Sequence, residues 1–69
     1  MRLRILPDKL QTLRLQRALS IAELAEKSGL TYNTISSLEK GKQTRTQYKT
    51  VRSLAIALNV EIGELTELV

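Results

Sequence analysis

The spacing of apolar residues predicts that this chain folds into a series of short helices. The first begins at Pro7, because the fixed φ of proline and its missing N–H suit the first turn of a helix. Its inward stripe, at i, i+3, i+4 and i+7, comprises Leu10, Leu13, Arg14 and Arg17. The stripe is apolar at its start and basic at its end, so a charge on this face is expected to need a partner.

A second helix is predicted from a capping box formed by Ser20 and Glu23. In this motif the Ser hydroxyl accepts from the third helical N–H, and the Glu carboxylate accepts from the Ser N–H. Leu19 and Leu24 have the spacing of the hydrophobic staple that accompanies such a cap. The helix is expected to stop at Gly29 after about eight residues. Its inward stripe comprises Ile21, Leu24, Ala25 and Ser28.

A third helix follows, with Thr31 as its predicted N-cap and Gly41 at its end. Ile35 and Leu38 occupy its inward side. Two short helices joined by a Gly-containing turn of about three residues diverge steeply, which is the helix-turn-helix arrangement. Residues 20–40 are therefore predicted to form a helix-turn-helix, and the alternative is an ordinary helical corner in a bundle.

The outward face of the third helix carries no carboxylate. Opposite Ile35 and Leu38 it presents Tyr32, Asn33, Ser36, Ser37 and Lys40. A surface helix built only for solubility usually mixes Glu with Lys. This face instead offers amide, hydroxyl and ammonium groups, which suit base edges and phosphates.

Two further helices are predicted towards the end of the chain. The fourth has Thr46 or Gln47 near its cap and ends close to Asn59. Its inward stripe comprises Tyr48, Val51, Leu54, Ala55 and Leu58. A short fifth helix is expected to close the core with Val60, Ile62 and Leu65.

Both ends of the chain leave alternatives open. Residues 2–5 (RLRI) alternate in polarity, which suits a short strand that pairs with another chain, or a basic arm that reaches for phosphate. Leu68 and Val69 are apolar without an evident place in the core. They are expected to form part of a dimer seam or a frayed end.

Length and charge set the scale of the protein. A chain of 69 residues suits a single domain, residues 1–69, near the lower limit for a core without staples. The 11 Lys and Arg residues exceed the 7 Asp and Glu residues, and the net charge of +4 suits an anionic partner but also solubility. A run without acidic residues contains Lys40, Lys42, Arg45, Lys49 and Arg52, whereas the end carries Glu61, Glu64 and Glu67.

The composition disfavours an enzyme, because the chain has no His, no Cys, a single Asp and no glycine-rich phosphate loop. The lack of Cys and His also excludes a disulfide framework and a zinc site. So short a chain has little room to enclose a cofactor or a small-molecule substrate. The apolar runs are too short for a signal peptide or a membrane span, which predicts a cytoplasmic protein.

An ordered set of segments carries a family resemblance. The segments are Leu13-Arg14, residues 20–29 (SIAELAEKSG), Ile35, residues 38–41 (LEKG), residues 50–58 (TVRSLAIAL), Val60 and Leu65. Together they make residues 10–65 resemble the lambda-repressor-like helix-turn-helix family, with its phage repressors, Cro proteins and regulators of the xenobiotic-response-element type. The resemblance implies an all-α fold of five helices, in which the third lies in the major groove and the second braces it across the backbone.

The resemblance also implies which residues contact DNA. Base contacts are expected of Thr31, Tyr32, Asn33, Ser36 and Ser37, and phosphate contacts of Lys40 and Lys42. The helix opening at Ser20 and Ile21 is expected to bind phosphate through its N–H groups, because Ile21 replaces the Gln common in the family. Residues 42–47 (KQTRTQ) lack the usual Pro and are slightly longer than usual, so the phosphate contact expected of Arg45 depends on how this loop folds.

Arg14 and Glu39 occupy matching positions, each beside a residue of an apolar seam. The resemblance implies that they form an ion pair between the first and third helices. An unpaired buried charge would cost several kcal/mol, which favours the pair. The alternative is two exposed side chains that extend into water.

These observations predict a sequence-specific double-stranded DNA-binding protein that regulates transcription as a Cro-type repressor in the cytoplasm, associated with the nucleoid. One such helix contacts only a few base pairs, so a homodimer on paired half-sites is expected. The alternative is an antitoxin or another protein-interaction module, which would use the acidic, apolar end of the chain.

Overall fold

The computed structural model describes residues 2–67, which form a small helical body. The elements in chain order are β1 (Arg2–Arg4), α1 (Pro7–Gln16), α2 (Ile21–Ser28), α3 (Tyr32–Glu39), β2 (Arg45–Gln47), α4 (Tyr48–Leu58) and a 3₁₀ turn (Ile62–Glu64). The central helix α2 packs against both α3 and α4, and α1 packs against α3. No helix within residues 2–67 has the length and apolar character needed to cross a membrane.

One cluster of buried apolar side chains forms the core. Its members are Ile5, Leu10, Leu24, Ala25, Ile35, Leu38, Val51, Leu54, Ala55, Leu58 and Leu65. Most of these lie on the inward stripes expected from the helical spacing, because residues three and four positions apart share a helix face. Ile5 is the exception, because the sequence predicted a strand or an arm for residues 2–5 and did not predict that Ile5 is part of the core.

Each of the four described α-helices is followed, within two residues, by a residue with left-handed backbone. These residues are Ala18, Gly29, Gly41 and Asn59, with φ between 55° and 76°. In each case the following residue donates its N–H to the carbonyl five positions earlier, at N···O distances of 3.0–3.2 Å. This is the Schellman arrangement, which satisfies carbonyl groups that the helix leaves free. The helix ends expected at Gly29, Gly41 and Asn59 are confirmed.

The N-terminal segment forms the short strand expected from its alternation, but this strand pairs within its own chain and not with another chain, and it is not a free arm. β1 is antiparallel to β2, with Leu3 opposite Thr46 and Arg4 opposite Arg45. The N–H of Ile5 donates to the carbonyl of Thr44 at 2.7 Å. Burial explains this arrangement, because Ile5 is completely buried and a free arm would leave it in water.

The C-terminal segment pairs with the other edge of β1. The N–H of Leu6 donates to the carbonyl of Leu65 at 2.8 Å, and the N–H of Glu67 donates to the carbonyl of Arg4 at 3.0 Å. The expected fifth helix is a single 3₁₀ turn, because the chain must become extended by Thr66 to make these bonds. The proposals for Leu68 and Val69 concern residues outside the described part of the chain.

Two predicted inward residues face outward. Tyr48 is 37% exposed, and the guanidinium of Arg52 stacks over its ring, 5.2 Å from the centroid. As the first residue of α4, Tyr48 precedes the turns that reach the core. Arg17 is also exposed, although its Nε donates to the carbonyl of Leu58 at 2.5 Å. That bond satisfies a carbonyl at the C-terminal end of α4, where a cation is favoured.

Candidate nucleic-acid interface

The start of α2 is held by the capping box expected from the sequence. Ser20 Oγ accepts from the N–H of Glu23 at 3.0 Å, and the N–H of Ser20 donates to Glu23 Oε1 at 2.9 Å. The bond from the Ser20 N–H lowers the pKa of Glu23 below its ordinary value, since it favours the ionised carboxylate. The N–H groups of Ile21 and Ala22 lie in the first helical turn, where an α-helix offers them no acceptor. They are available to an anion.

The start of α3 is capped by Thr31, which limits what its hydroxyl can offer to DNA. Thr31 Oγ1 accepts from the N–H of Thr34 at 3.2 Å and lies 2.8 Å from Thr34 Oγ1. Of the two hydroxyl protons in this pair, one is consumed by the shared bond and one is left to donate outward. Thr34 was not among the residues singled out from the sequence, although an N-cap Thr followed by Thr at the third helical position was visible there.

The outward face of α3 is only partly as open as the helical spacing suggested. Tyr32 is 53% exposed, and Asn33 and Lys40 are also exposed. Ser36 and Ser37 are half-buried, because they flank the sector that Ile35 and Leu38 bury. The most accessible groups therefore lie at the two ends of the helix, and the less accessible serine hydroxyl groups lie between them.

Arg14 and Glu39 lie in direct contact. Arg14 Nε donates to Glu39 Oε2 at 2.6 Å and Nη2 donates to Oε1 at 3.0 Å, a two-bonded fork that suits guanidinium and carboxylate. The third donor, Nη1, bonds the carbonyl of Leu19 at 2.7 Å. Arg14 therefore connects the end of α1, the segment leading into α2 and the last residue of α3.

This contact also shapes the charge of the candidate interface. The hydrogen bond to Glu39 raises the pKa of Arg14 above its ordinary value, although burial acts in the opposite direction. Glu39 is the only acidic residue in α3, and its side chain is only 6% exposed against Arg14. The outward face of α3 consequently has no exposed negative charge that would repel a polyanion.

The segment after α3 presents further cations. Lys42 is exposed, and its N–H donates to the carbonyl of Ser37 at 3.0 Å, which holds the backbone of this turn. Arg45 lies on β2 with its side chain outward, because Thr46 takes the buried position of the strand. The structure thus brings Lys40, Lys42 and Arg45 to the C-terminal side of α3, and Ser20 and Ile21 to the start of α2.

The strand pairing adds a cation that the sequence did not connect with this region. Arg4 lies directly opposite Arg45, although 41 positions separate them in the chain. The alternation of residues 2–5 indicated a strand, but nothing local indicated its partner. No group of His, Cys, Asp or Glu within residues 2–67 could hold a metal ion.

Comparisons with known proteins place this geometry among regulators. A helix-turn-helix family model matches residues 10–65. The Bacillus subtilis biofilm regulator SinR in complex with DNA is 25% identical, with 86% of this chain and 97% of that chain covered and a TM-score of 0.83. The controller protein C.AhdI of Aeromonas hydrophila is 31% identical, with 84% and 86% covered and a TM-score of 0.79.

A complex of SinR with the protein SinI is a further similar structure. It is 27% identical, with 81% of this chain and 54% of that chain covered and a TM-score of 0.78. No curated protein matches the chain in sequence.

Proposed function

This chain belongs to the helix-turn-helix family whose model matches residues 10–65, and from that premise we propose that it is a sequence-specific double-stranded DNA-binding repressor of transcription. The membership confirms the lambda-repressor-like fold predicted from the sequence. The proposal assigns no catalytic role to the chain.

The observation that carries the proposal is the chemistry of α3. Its only carboxylate is buried against Arg14, and its exposed groups are the amide of Asn33, the phenol of Tyr32 and the ammonium of Lys40. A helix of this kind fits the major groove, where an Asn amide can bond N6 and N7 of adenine and small hydroxyl groups can bond several base edges. The exposed polar face of α1 includes the acidic Asp8, whereas the exposed face of α3 carries no acidic group.

The neighbouring elements supply the contacts that would position α3. We infer that the free N–H groups at the start of α2 bind one phosphate and that Lys40, Lys42 and Arg45 bind others. Phosphate contacts set the orientation of the protein, whereas Tyr32, Asn33, Thr31, Ser36 and Ser37 contact the bases. SinR in complex with DNA and the restriction-modification controller C.AhdI are similar proteins, which supports this assignment.

The test begins with the selection of bound duplexes from a random pool. We expect an enriched motif with two related half-sites about one helical turn apart, as a homodimer requires. The affinities of variants for the selected duplex and for a scrambled duplex are then compared. A pool that yields no enriched motif would contradict sequence-specific binding.

Asn33→Ala and Lys42→Gln separate base contacts from phosphate contacts. Asn33→Ala should cost about 1–3 kcal/mol on the selected duplex and leave scrambled DNA unaffected. Lys42→Gln should weaken both complexes equally and reduce the slope of log K against log salt by about 0.9. Lys27 is an exposed cation in the last turn of α2, so Lys27→Gln is the matched control. It should change neither the affinity nor the salt slope. If Asn33→Ala weakened binding to both duplexes equally, the result would indicate non-specific binding by a basic surface.

A protein partner is the second candidate function, and it is compatible with the first. The similarity to SinR in its complex with SinI supports it. The acidic end, with Glu61, Glu64 and Glu67 exposed, is the surface that we assign to such a partner. If the chain bound a protein partner and not DNA, the random pool would yield no enriched motif. Glu61→Lys would then abolish capture of the partner.

A further inference from the structure

The outer face of the β-pairing carries a row of charges from three separate segments. Arg4 on β1 has Arg45 of β2 on one side and Glu67 of the C-terminal segment on the other. Because Leu3 and Thr46 face inward, Arg4 and Arg45 both point outward. The row therefore reads Arg45, Arg4, Glu67 across the strands.

The two arginines form a close pair of like charges. In the antiparallel ladder, Ile5 and Thr44 form a hydrogen-bonded pair. The next pair, Arg4 and Arg45, is therefore a non-hydrogen-bonded pair, in which the Cα atoms lie about 4.5 Å apart. Side chains approach most closely in such couples, and like charges directly opposite are destabilising. Within the described residues Arg45 has no acidic partner.

Glu67 offsets this repulsion only weakly. Arg4 Nε lies 3.5 Å from Glu67 Oε2, and the two side chains are 60% and 50% exposed. An ion pair so open to water contributes about 0–1 kcal/mol. Arg4 is therefore held loosely enough to exchange the carboxylate of Glu67 for another anion.

The row lies close to the end of α3. The carbonyl of Thr44 is bonded to the N–H of Ile5, and a Cβ at Gly41 would lie 3.7 Å from Pro7 Cγ, so the N-terminal segment packs against the turn that follows α3. Lys42 and Arg45 are three residues apart, at most about 10 Å along the chain. Lys42, Arg45 and Arg4 are all exposed, and we call this group, which begins just after α3, the cationic strip.

We propose that this strip binds the DNA phosphate backbone beside the site of α3, and that Arg4 exchanges Glu67 for a phosphate when DNA binds. The inference rests on the proposed function, since it assumes a duplex docked against α3. Duplex DNA carries one charge per about 1.7 Å of axis, so a strip of this length faces several phosphates. Glu67 then acts as a competing intramolecular anion that lowers the affinity for DNA.

The test measures duplex affinity over a series of salt concentrations with the full chain. Arg4→Gln should reduce the slope of log K against log salt by about 0.9, to the same extent on selected and scrambled DNA. Arg4→Lys keeps the charge and should retain the slope, which separates loss of charge from loss of structure. Lys27→Gln should leave the slope unchanged.

The exchange itself is tested at Glu67. Glu67→Gln should strengthen DNA binding about two- to fivefold more than Glu61→Gln, which makes the same charge change in the same segment. This difference should vanish in the Arg4→Gln background, because the competing pair is then already absent. Thermal unfolding of each variant checks that the fold is retained.

The outcomes separate this inference from the function on which it rests. If the wild-type chain shows no salt-dependent duplex binding, the proposed function itself fails. If the wild type binds but Arg4→Gln keeps the wild-type slope, or Glu67→Gln matches Glu61→Gln, the function stands and the exchange at Arg4 is overturned.

Discussion

The guanidinium of Arg14 and the carboxylate of Glu39 form a two-bonded ion pair whose side chains are only 9% and 6% exposed. The pair joins α1 to the last residue of α3, and the remaining donor of Arg14 bonds the carbonyl of Leu19 just before α2. Arg14 therefore adds a polar connection between α1, α2 and α3 to the apolar packing of Ile35 and Leu38.

Removal of either partner should be strongly destabilising. Arg14→Met or Glu39→Met should each cost about 3–5 kcal/mol in the free energy of unfolding, because the remaining charge is buried without its counterion. The double variant should cost much less than the sum of the two. The measurement is denaturant unfolding in a double-mutant cycle, with the exposed pair of Arg4 and Glu67 as a control expected to couple by about 0–1 kcal/mol. A coupling at Arg14 and Glu39 as small as the control would refute this role.

Ala18 occupies a backbone conformation that suits glycine. Its φ of 55° is left-handed, which costs an L-residue roughly 1–2 kcal/mol. Ala18→Gly should therefore raise the free energy of unfolding by about 0.5–1 kcal/mol, even though glycine also gains freedom in the unfolded chain. Ala22→Gly, at an exposed site inside α2, should instead lower it by about 0.5–1 kcal/mol. Thermal unfolding distinguishes them, and a destabilised Ala18→Gly would contradict the assigned strain.

The capping box makes the stability of α2 depend on pH. Because the pKa of Glu23 is lowered in the folded state, its ionised form stabilises the fold above the ordinary Glu pKa of about 4.3. That contribution is lost as the pH falls through the lowered folded-state value. Glu23→Gln should thus be less stable than the wild type at pH 7 and approach it in strong acid. Thermal melts between neutral and acidic pH measure this convergence.

Two variants serve as references for the capping box. Ser20→Ala removes the other half of the motif and should cost about 1 kcal/mol at neutral pH. Glu26→Gln changes the same charge on the same helix outside the box, and its effect should be smaller than that of Glu23→Gln. If Glu26→Gln and Glu23→Gln gave the same dependence on pH, general charge rather than capping would be responsible.

The N-terminal segment should behave as part of the core. Ile5 is fully buried, so Ile5→Ala should cost about 2–5 kcal/mol, whereas an unstructured arm would tolerate the change. Leu15→Ala, at a side chain that is 59% exposed, is the control and should stay within about 0.5 kcal/mol of the wild type. Chemical denaturation measures both variants. Equal stability of the two variants would mean that burial of Ile5 does not stabilise the fold.

Local sequence determined where the helices begin and end. Capping at Ser20 and Thr31 and the left-handed ends at Gly29 and Asn59 involve groups within a few residues of one another, so their side chains alone specify them. The apolar periodicity likewise indicated which residues of α3 point inward. For this reason the helix-turn-helix and most of its outward residues could be predicted from the sequence alone.

The tertiary structure decided what distant segments do to one another. Ser36 and Ser37 are half-buried because neighbouring helices cover their flank, and Arg4 meets Arg45 because the turn after α3 returns the chain beside its own beginning. Periodicity shows which face of an element is apolar, but the partner of that face depends on loop geometry and on competition among all segments for burial. Helix α3 was therefore visible in the sequence, whereas the cationic strip beside it exists only in the folded chain.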